Sequence, residues 1–319
     1  GEKMTINFKA PEIKELQPRL LVLGVGGAGG NAINEMIENN LQGVEFIAVN
    51  TDAQDLKLSK AKTRIQIGLN LTKGLGAGAK LDIGQAAADE SLNDIVNILQ
   101  GANMVFIAAG MGGGTGTGAA HEFARQARLS GAVVIAVAAM PFGIQSTRLN
   151  IAEEGFARLD KFAHITVRLS LERLARQARE KGRTWQMGAE WVEDLVDGLV
   201  RTLLRMGLIN LDLMDLRAIV EQDGKSTLLV GMGDADEPEK ILHSAMMAPL
   251  EALDVGGATG CLIQIEGGLG MTLSQVDSVA RLFTDALDSD AQVILGARVS
   301  EDLHNSMRVV TLLSGISES

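Results

Sequence analysis

Gly110-Met-Gly-Gly-Gly-Thr-Gly-Thr-Gly118 follows directly on the apolar run Met104-Val-Phe-Ile-Ala-Ala109. A strand that ends in so little side chain leaves its backbone N–H groups open to a group that must come very close, and phosphate is the anion most often held this way. Thr115 and Thr117 add hydroxyl donors to the same run. Glycine loses more conformational freedom on folding than any other residue, so six glycines in one loop need a reason. The stretch reads as a polyphosphate loop.

Around it the pattern alternates strand and helix from Leu20 to Val137. Arg19-Leu-Leu-Val-Leu23 predicts a strand, followed by a helix from Gly29 and a strand at Val44-Glu-Phe-Ile-Ala-Val49. An Ala-rich helix over Ile83–Gln100, the strand Met104–Ala109, a helix from Gly118 to Leu129 and the strand Ala132-Val-Val-Ile-Ala-Val-Ala138 come next. Continuous apolar strands separated by helices indicate a parallel sheet covered on both faces. Nucleotides bind such sheets beyond the carboxyl ends of the strands, the edge at which the glycine loops fall.

A long amphipathic pattern over Thr184–Met206, with Trp185, Val192, Leu195, Leu199, Leu203 and Met206 on one stripe, predicts a connecting strut. After Asn210 a smaller α/β unit is expected: helix 212–221, strand 226–233, helix 238–252, strand 260–266, helix 272–288 and strands 291–298 and 307–313. The expected division is an N-terminal extension (1–18), a nucleotide-binding domain (19–183), a central helix (184–209) and a second domain (210–316), with the two domains packed rigidly on the strut.

Two further glycine loops bear on the ligand. Gly24-Val-Gly26-Gly-Ala-Gly29 follows a strand and opens a helix, satisfying the dinucleotide fingerprint, with Asp52 at a plausible distance for a ribose contact. Taken alone it indicates a nicotinamide or flavin enzyme. A dinucleotide fold needs that loop only, whereas Gly74-Leu-Gly-Ala-Gly78 and the run at 110–118 suit a triphosphate cradled on several sides. A dinucleotide oxidoreductase would also need a catalytic His, Tyr-Lys or Cys constellation near the first loop, and the sequence offers none there. Farther on, Asn210-Leu-Asp212-Leu-Met-Asp215 places two carboxylates three apart, hence on one face of an entering helix turn. Without context, Asp at a helix N-terminus is an ordinary capping choice.

The run Gly-Gly-Gly-Thr-Gly-Thr-Gly between an apolar strand and a helix resembles the signature of the tubulin/FtsZ family of polymerising GTPases. Met4-Thr-Ile-Asn-Phe8, Gly24-Val-Gly-Gly-Ala-Gly-Gly-Asn-Ala32, Asn50-Thr-Asp-Ala-Gln54, Gly74-Leu-Gly-Ala-Gly78 and Gly207-Leu-Ile-Asn-Leu-Asp212 follow in the order of the family's bacterial branch. The likeness runs from about Thr5 to about Ile316 and is weakest between Met140 and Met206. It implies the two-domain α/β fold of that family, with a long central helix, and GTP or GDP lined by Gly26, Gly27, Asn31, Ala77, Gly78, Gly113, Thr115, Gly116 and Thr117. Gly110, Gly112, Gly114 and Gly118 complete the loop, and Asn31 would also touch the base.

By the same resemblance, Asn210, Asp212 and Asp215 match the loop that one subunit inserts into the nucleotide site of the next. Phosphoryl transfer to water wants mainly a positioned nucleophile and neutralised oxygens, so these acids would orient water more than deprotonate it. A Mg²⁺ held by phosphate oxygens and waters is the implied metal. The implied partner is the chain itself, in head-to-tail filaments, and hydrolysis would depend on assembly.

The chain departs from the family pattern on the base side. The segment Met140-Pro-Phe-Gly-Ile-Gln145-Ser-Thr-Arg148 keeps the family's Arg as Arg148 but puts Gln145 where a ribose-contacting Glu is usual, a weaker acceptor. Trp185 stands where a base-stacking Phe is usual, and Ala189 where an Asp pairs with guanine. Loss of such a buried charge-assisted pair relaxes discrimination between bases. Glu190 is next in line, but one residue turns a helix by about 100°. These departures define an alternative: a nucleotide-binding scaffold or modulator with weak or relaxed (GTP/ATP) hydrolysis. Family members continue into a flexible linker and a membrane-tether peptide, whereas this sequence stops at Gly315-Ile-Ser-Glu-Ser319. Either a tail was removed or it is naturally absent, and in the second case a full-length FtsZ would be an expected co-assembly partner.

Composition sets the outer bounds. With 319 residues and 46% hydrophobic content the chain can bury a substantial core. A formal charge of −11 excludes a general nucleic-acid or anionic-membrane binder, and 3% aromatics with no Tyr leave little to stack on bases. No apolar stretch nears the roughly 20 residues of a membrane span, no signal peptide is evident, and Gly1-Glu-Lys3 reads as a cloning remnant. The lone Cys261 reads as a buried hydrophobe in a reducing, cytoplasmic protein. His121, His164, His243 and His304 are scattered, so no protein-built metal site is expected, and the thirteen Met read as core filler. The basic run Leu174-Ala-Arg-Gln-Ala-Arg-Glu-Lys-Gly-Arg183 reads as a solvated helix face.

Overall fold

The computed structural model describes residues 4–6, 18–74, 76, 81–141, 146–180, 213–246 and 256–317. These fall into two compact units, Arg19 to Glu180 in one, and Met4–Ile6 with Leu213 onward in the other. The central helix expected over 184–209 lies outside the described residues, as do Ala77, Gly78, Gln145, Trp185, Ala189, Glu190, Asn210 and Asp212.

With Met4–Ile6 as β1, the strands of the larger unit are β2 (Leu20–Val25), β3 (Glu45–Asn50), β4 (Thr63–Gln66), β5 (Met104–Gly110), β6 (Val133–Met140) and β7 (Ile165–Ser170). They form one sheet in the order β4-β3-β2-β5-β6-β7, every neighbouring pair parallel, as the alternating pattern predicts. The chain steps outward from β2 through β3 to β4, returns to the far side of β2 as β5, and steps the other way through β6 to β7. Burial follows: β2 is buried throughout and β5 from Met104 to Ala109, as strands covered on both faces must be. Leu21, Leu23, Val25, Ile95, Leu99, Ile107 and Phe123 belong to the continuous core on one side.

Three helical expectations shift. Helix α1 spans Gly26–Glu38 and α6 spans Gly114–Leu129, so each starts within its glycine loop, earlier than the Gly29 and Gly118 read from the sequence. The Ala-rich pattern is two helices, α4 (Leu81–Glu90) and α5 (Leu92–Leu99). They part at Ser91, whose hydroxyl accepts the Gly68 N–H at 3.0 Å and so ties the break to the preceding loop. The remaining elements of this unit are α2 (Ala53–Lys57), α3 (Leu69–Thr72), α7 (Ser146–Phe162) and α8 (Leu171–Glu180).

The second unit is a five-stranded sheet in the order β1-β10-β9-β11-β8, built from β8 (Lys225–Asp234), β9 (Gly260–Gly267), β10 (Gln292–Val299) and β11 (Ser306–Ile316). β1, β10 and β9 run parallel, and β11 runs antiparallel to both β9 and β8. All four of the longer strands lie where the sequence places them, within a few residues. Three helices, α9 (Leu213–Val220), α10 (Pro238–Met246) and α11 (Leu273–Thr284), belong to this unit. α11 opens on a capping box in which Thr272 and Gln275 exchange side chain-to-backbone bonds of 3.1 and 3.0 Å. Cys261 is fully buried and burial pushes its thiol pKa up, in keeping with its reading as a core hydrophobe. Met36, Met104 and Met307 are likewise fully buried.

Candidate functional site

The parallel sheet reverses its order between β2 and β5, and ligands of open α/β sheets settle in the crevice beyond such a switch point. Register brings Val25 opposite Ala109, so the loops that leave β2 and β5 emerge side by side. Each turns at once into a helix, α1 at Gly26 and α6 at Gly114. Neither helix has a side-chain cap, since Val25 and Gly113 occupy the capping positions, and neither carries an acid in its first turn. Two sets of unsatisfied N–H donors, each with the partial positive charge of a helix start, therefore share one edge.

The glycines divide into two kinds. Gly26 has φ +78°, and a Cβ built on it would stand 3.0 Å from the Gly116 N. A Cβ on Gly116 would stand 2.5 Å from the Gly110 O, and one on Gly84 of α4 would stand 2.1 Å from the Gly114 O and 3.1 Å from the Gly118 Cα. These positions let backbone meet backbone, locking the first loop to the second and α6 to α4. Gly27 and Gly113 differ, because both are exposed. Nothing lies within 4 Å of a Cβ on Gly113, and only Asp55 Oδ2 does so at Gly27, at 3.8 Å. They form the open floor of the cradle.

The threonine hydroxyls face inward. Thr117 is 1% exposed and its Oγ1 accepts the Gly112 N–H at 2.8 Å, while Thr115 Oγ1 lies 2.7 Å from Thr51 Oγ1. They brace the loop, and what it offers outward is backbone. Gly112 backs onto α7, with the Arg148 O 3.4 Å from a Cβ built there, so the exposed Arg148 starts beside the loop.

Asn31, exposed on α1, lines a cleft of about 170 Å³ together with Gly26, Gly27, Asn34, Asn50 and Asp55. Asp52 caps α2, its carboxylate accepting from the N–H of Gln54 at 2.8 Å and of Asp55 at 3.3 Å. Its other oxygen stands 3.6 Å from a Cβ built on Gly76 of the third loop. Asp215 sits half-buried in the first turn of α9, in the second unit. Asp55, Asn34 and Thr51 were not anticipated; the spacing of Asp55, three residues beyond Asp52, is the signal that could have found it. Among the described residues no group of three His, Cys, Asp or Glu side chains could hold a metal ion by itself.

Residues 19–179 match the GTPase-domain model of the Tubulin/FtsZ family, and residues 224–317 match the C-terminal-domain model of the FtsZ family. The cell division protein FtsZ of Bartonella bacilliformis is 42% identical over 98% of this chain, which spans 54% of the length of that relative. The FtsZ of a Wolbachia species is 39% identical, with 98% of this chain and 83% of the relative covered. A solved FtsZ dimer from M. jannaschii superposes with a TM-score of 0.86 at 34% identity, covering 95% of this chain and 89% of that one. Both units match in order and the glycine loops sit at the switch of a six-stranded parallel sheet; the chain belongs to the tubulin/FtsZ family, in its FtsZ branch.

Proposed function

We propose that the chain binds GTP and GDP at the switch-point crevice and polymerises head to tail, the acidic loop of each copy completing the hydrolysis site of the next. The observation that carries this reading is the pair of uncapped helix N-termini, α1 and α6, opening side by side over Gly27 and Gly113. Their first-turn N–H groups would take phosphate oxygens, and Ala77 and Gly78 would close the third side. Asn31 and Trp185 would hold the base, and Gln145 and Arg148 the ribose and loop side. In hydrolysis, Asn210, Asp212 and Asp215 of one copy would orient the attacking water at the phosphates bound by another. A bound Mg²⁺ would supply neutralisation of the phosphate charge; among the described residues no three His, Cys, Asp or Glu side chains form a cage, which suits an ion held largely by phosphate and water. In this reading residues 19–183 form the nucleotide domain, 184–209 the connecting helix and 210–316 the domain that lends the acids. No helix among the described residues is long and apolar enough to cross a membrane; in this reading the filaments would form in the cytoplasm.

Gln145 and Ala189 favour a second reading, a scaffold that binds nucleotide with relaxed base choice and modulates a full-length FtsZ. Phosphate release measured against protein concentration separates the two. A rise steeper than linear, abolished in Asp212→Ala while nucleotide binding persists, supports the filament enzyme. Flat, trace release with GTP and ATP alike supports the scaffold.

A further inference from the structure

Thr51 follows directly on β3 and is 0% exposed. Among the described residues its hydroxyl has one hydrogen-bond partner, Thr115 Oγ1 at 2.7 Å, and Thr115 is itself 8% exposed. Neither hydroxyl serves its own helix. Asp52 caps α2, and Thr115 is the second residue of α6, where no helical carbonyl lies a turn behind to accept its proton. Stability does not account for the pair either, because replacing both partners of a buried hydrogen bond by apolar groups of the same shape is nearly neutral, and two valines would fill this space.

What the pair connects is the three glycine loops. On the Thr115 side, a Cβ built on Gly26 stands 3.8 Å from Thr115 Cβ, which sets the first loop against the second. On the Thr51 side, a Cβ built on Gly76 stands 4.0 Å from Thr51 Oγ1, and the Gly74 O accepts the Ala53 N–H at 3.1 Å. The third loop therefore rests on the segment that begins at Thr51. The Thr115 N–H is one of the first-turn donors of α6 that the helix cannot satisfy, and its direction follows the side chain that Thr51 holds.

We infer that Thr51 is a positioning residue for the polyphosphate: by pinning Thr115 it fixes the aim of the first-turn N–H groups of α6 and the spacing between the second and third glycine loops. This rests on the nucleotide reading given above. Thr51 is too deeply buried to touch the ligand and acts through Thr115. Without its hydroxyl, Thr115 turns toward another partner and carries its N–H along, and a hydrogen bond to phosphate weakens steeply as it leaves the line of its donor.

The test is a titration of the intact chain with a fluorescent GDP analogue, well below the melting temperature of the nucleotide-free protein, for the wild type, Thr51→Val, Thr51→Ala and Thr51→Ser. Val keeps the shape of the side chain and removes the hydroxyl, and Ser keeps the hydroxyl and removes the methyl. Ala needs less room than Val, so comparison of Ala with Ser reads the hydroxyl alone if valine disturbs the fold. Thr51→Val and Thr51→Ala should bind about tenfold more weakly than the wild type, the scale of one lost hydrogen bond, while Thr51→Ser should bind like the wild type. The double variant Thr51→Val/Thr115→Val should melt close to the wild type and bind no more weakly than Thr115→Val alone, since the two partners of one bond share a single loss. Wild-type affinity in Thr51→Val or Thr51→Ala, a loss in Thr51→Ser as large as in Thr51→Ala, or losses that multiply in the double variant would overturn the inference while leaving the nucleotide reading intact. Failure of the wild type to bind the analogue would overturn the nucleotide reading, and this inference with it.

Discussion

Gly113 and Gly116 stand three residues apart in one loop, yet a methyl group added to each should do opposite things. At Gly116 the new Cβ would meet the Gly110 O at 2.5 Å and the Val25 O at 3.3 Å, both main-chain atoms at the ends of central strands that cannot swing aside. Overpacking of that kind costs up to about 3 kcal/mol, and replacing a helical glycine by alanine returns about 1 kcal/mol. A net loss of about 2 kcal/mol lowers the Tm of a unit this size by about 4–8 °C.

At Gly113 the backbone has φ −88° and ψ 163°, open to any residue, and a Cβ meets nothing within 4 Å. Stability should change by no more than about 0.5 kcal/mol, the modest preference against alanine at a capping position. That methyl would nevertheless stand on the open floor of the cradle and weaken nucleotide binding at least tenfold, about 1.4 kcal/mol. Thermal melts without nucleotide and a titration with fluorescent GDP read the two effects separately. A Gly113→Ala protein that binds GDP like the wild type, or a Gly116→Ala protein that melts with it, would refute the division of these glycines into floor and packing positions.

Other consequences are local. His121 on α6 is buried with its Nδ1 lacking a hydrogen-bond partner among the described residues, and its ring stacks on Phe162 at 6.3 Å between centroids. Burial first, then the Arg158 charge, hold its pKa below the ordinary value, with Arg125 acting alongside and Glu122 and Asp89 pulling the other way. The fold favours the neutral ring, so the stability linked to His121 is complete above the unfolded pKa of about 6.5 and is lost as pH falls from there toward the lowered folded value. His121→Phe should flatten the decline of Tm over that acid window, and an unchanged slope would contradict this. In the second unit, register sets Glu266 of β9 opposite Arg298 of β10 and Arg308 of β11, with Glu266 2% and Arg298 7% exposed and 3.6 Å between Oε2 and Nε. Glu266→Ala should cost about 3–5 kcal/mol in chemical denaturation by leaving buried positive charge uncompensated, and a loss under about 1 kcal/mol would show the site to be better hydrated than its burial indicates. Cys261, its pKa raised by burial, should resist thiol reagents in the native protein and react at the rate of unfolding; fast labelling of the folded chain would argue against its core position.

The parallel sheet was legible because β2, β5 and β6 are continuous apolar runs, a pattern that buried parallel strands impose. The short edge strand β4 was not, since Thr63 and Arg64 are exposed and a run of four residues carries little periodicity. β1 pairs in parallel with β10, far along the chain, and no local pattern announces so distant a partner. The starts of α1 and α6 were set too late because glycine disfavours helix on propensity alone. Tertiary contact wins there: the first turns of both helices must let backbone approach backbone, which alanine would block at Gly116. The glycine loops that open α1 and α6 marked the switch-point edge correctly, while the inward turn of the Thr115 and Thr117 hydroxyls and the approach of Asp55 to Gly27 depend on neighbours that spacing does not reveal.

The location of the phosphates bears most directly on the central claim. A crystal structure of the chain with GDP and Mg²⁺ should place phosphate oxygens within hydrogen-bond reach of the first-turn N–H groups of α1 and α6, over Gly27 and Gly113. Phosphates held at any other edge of the sheet, or a crevice that stays empty at saturating GDP, would contradict it.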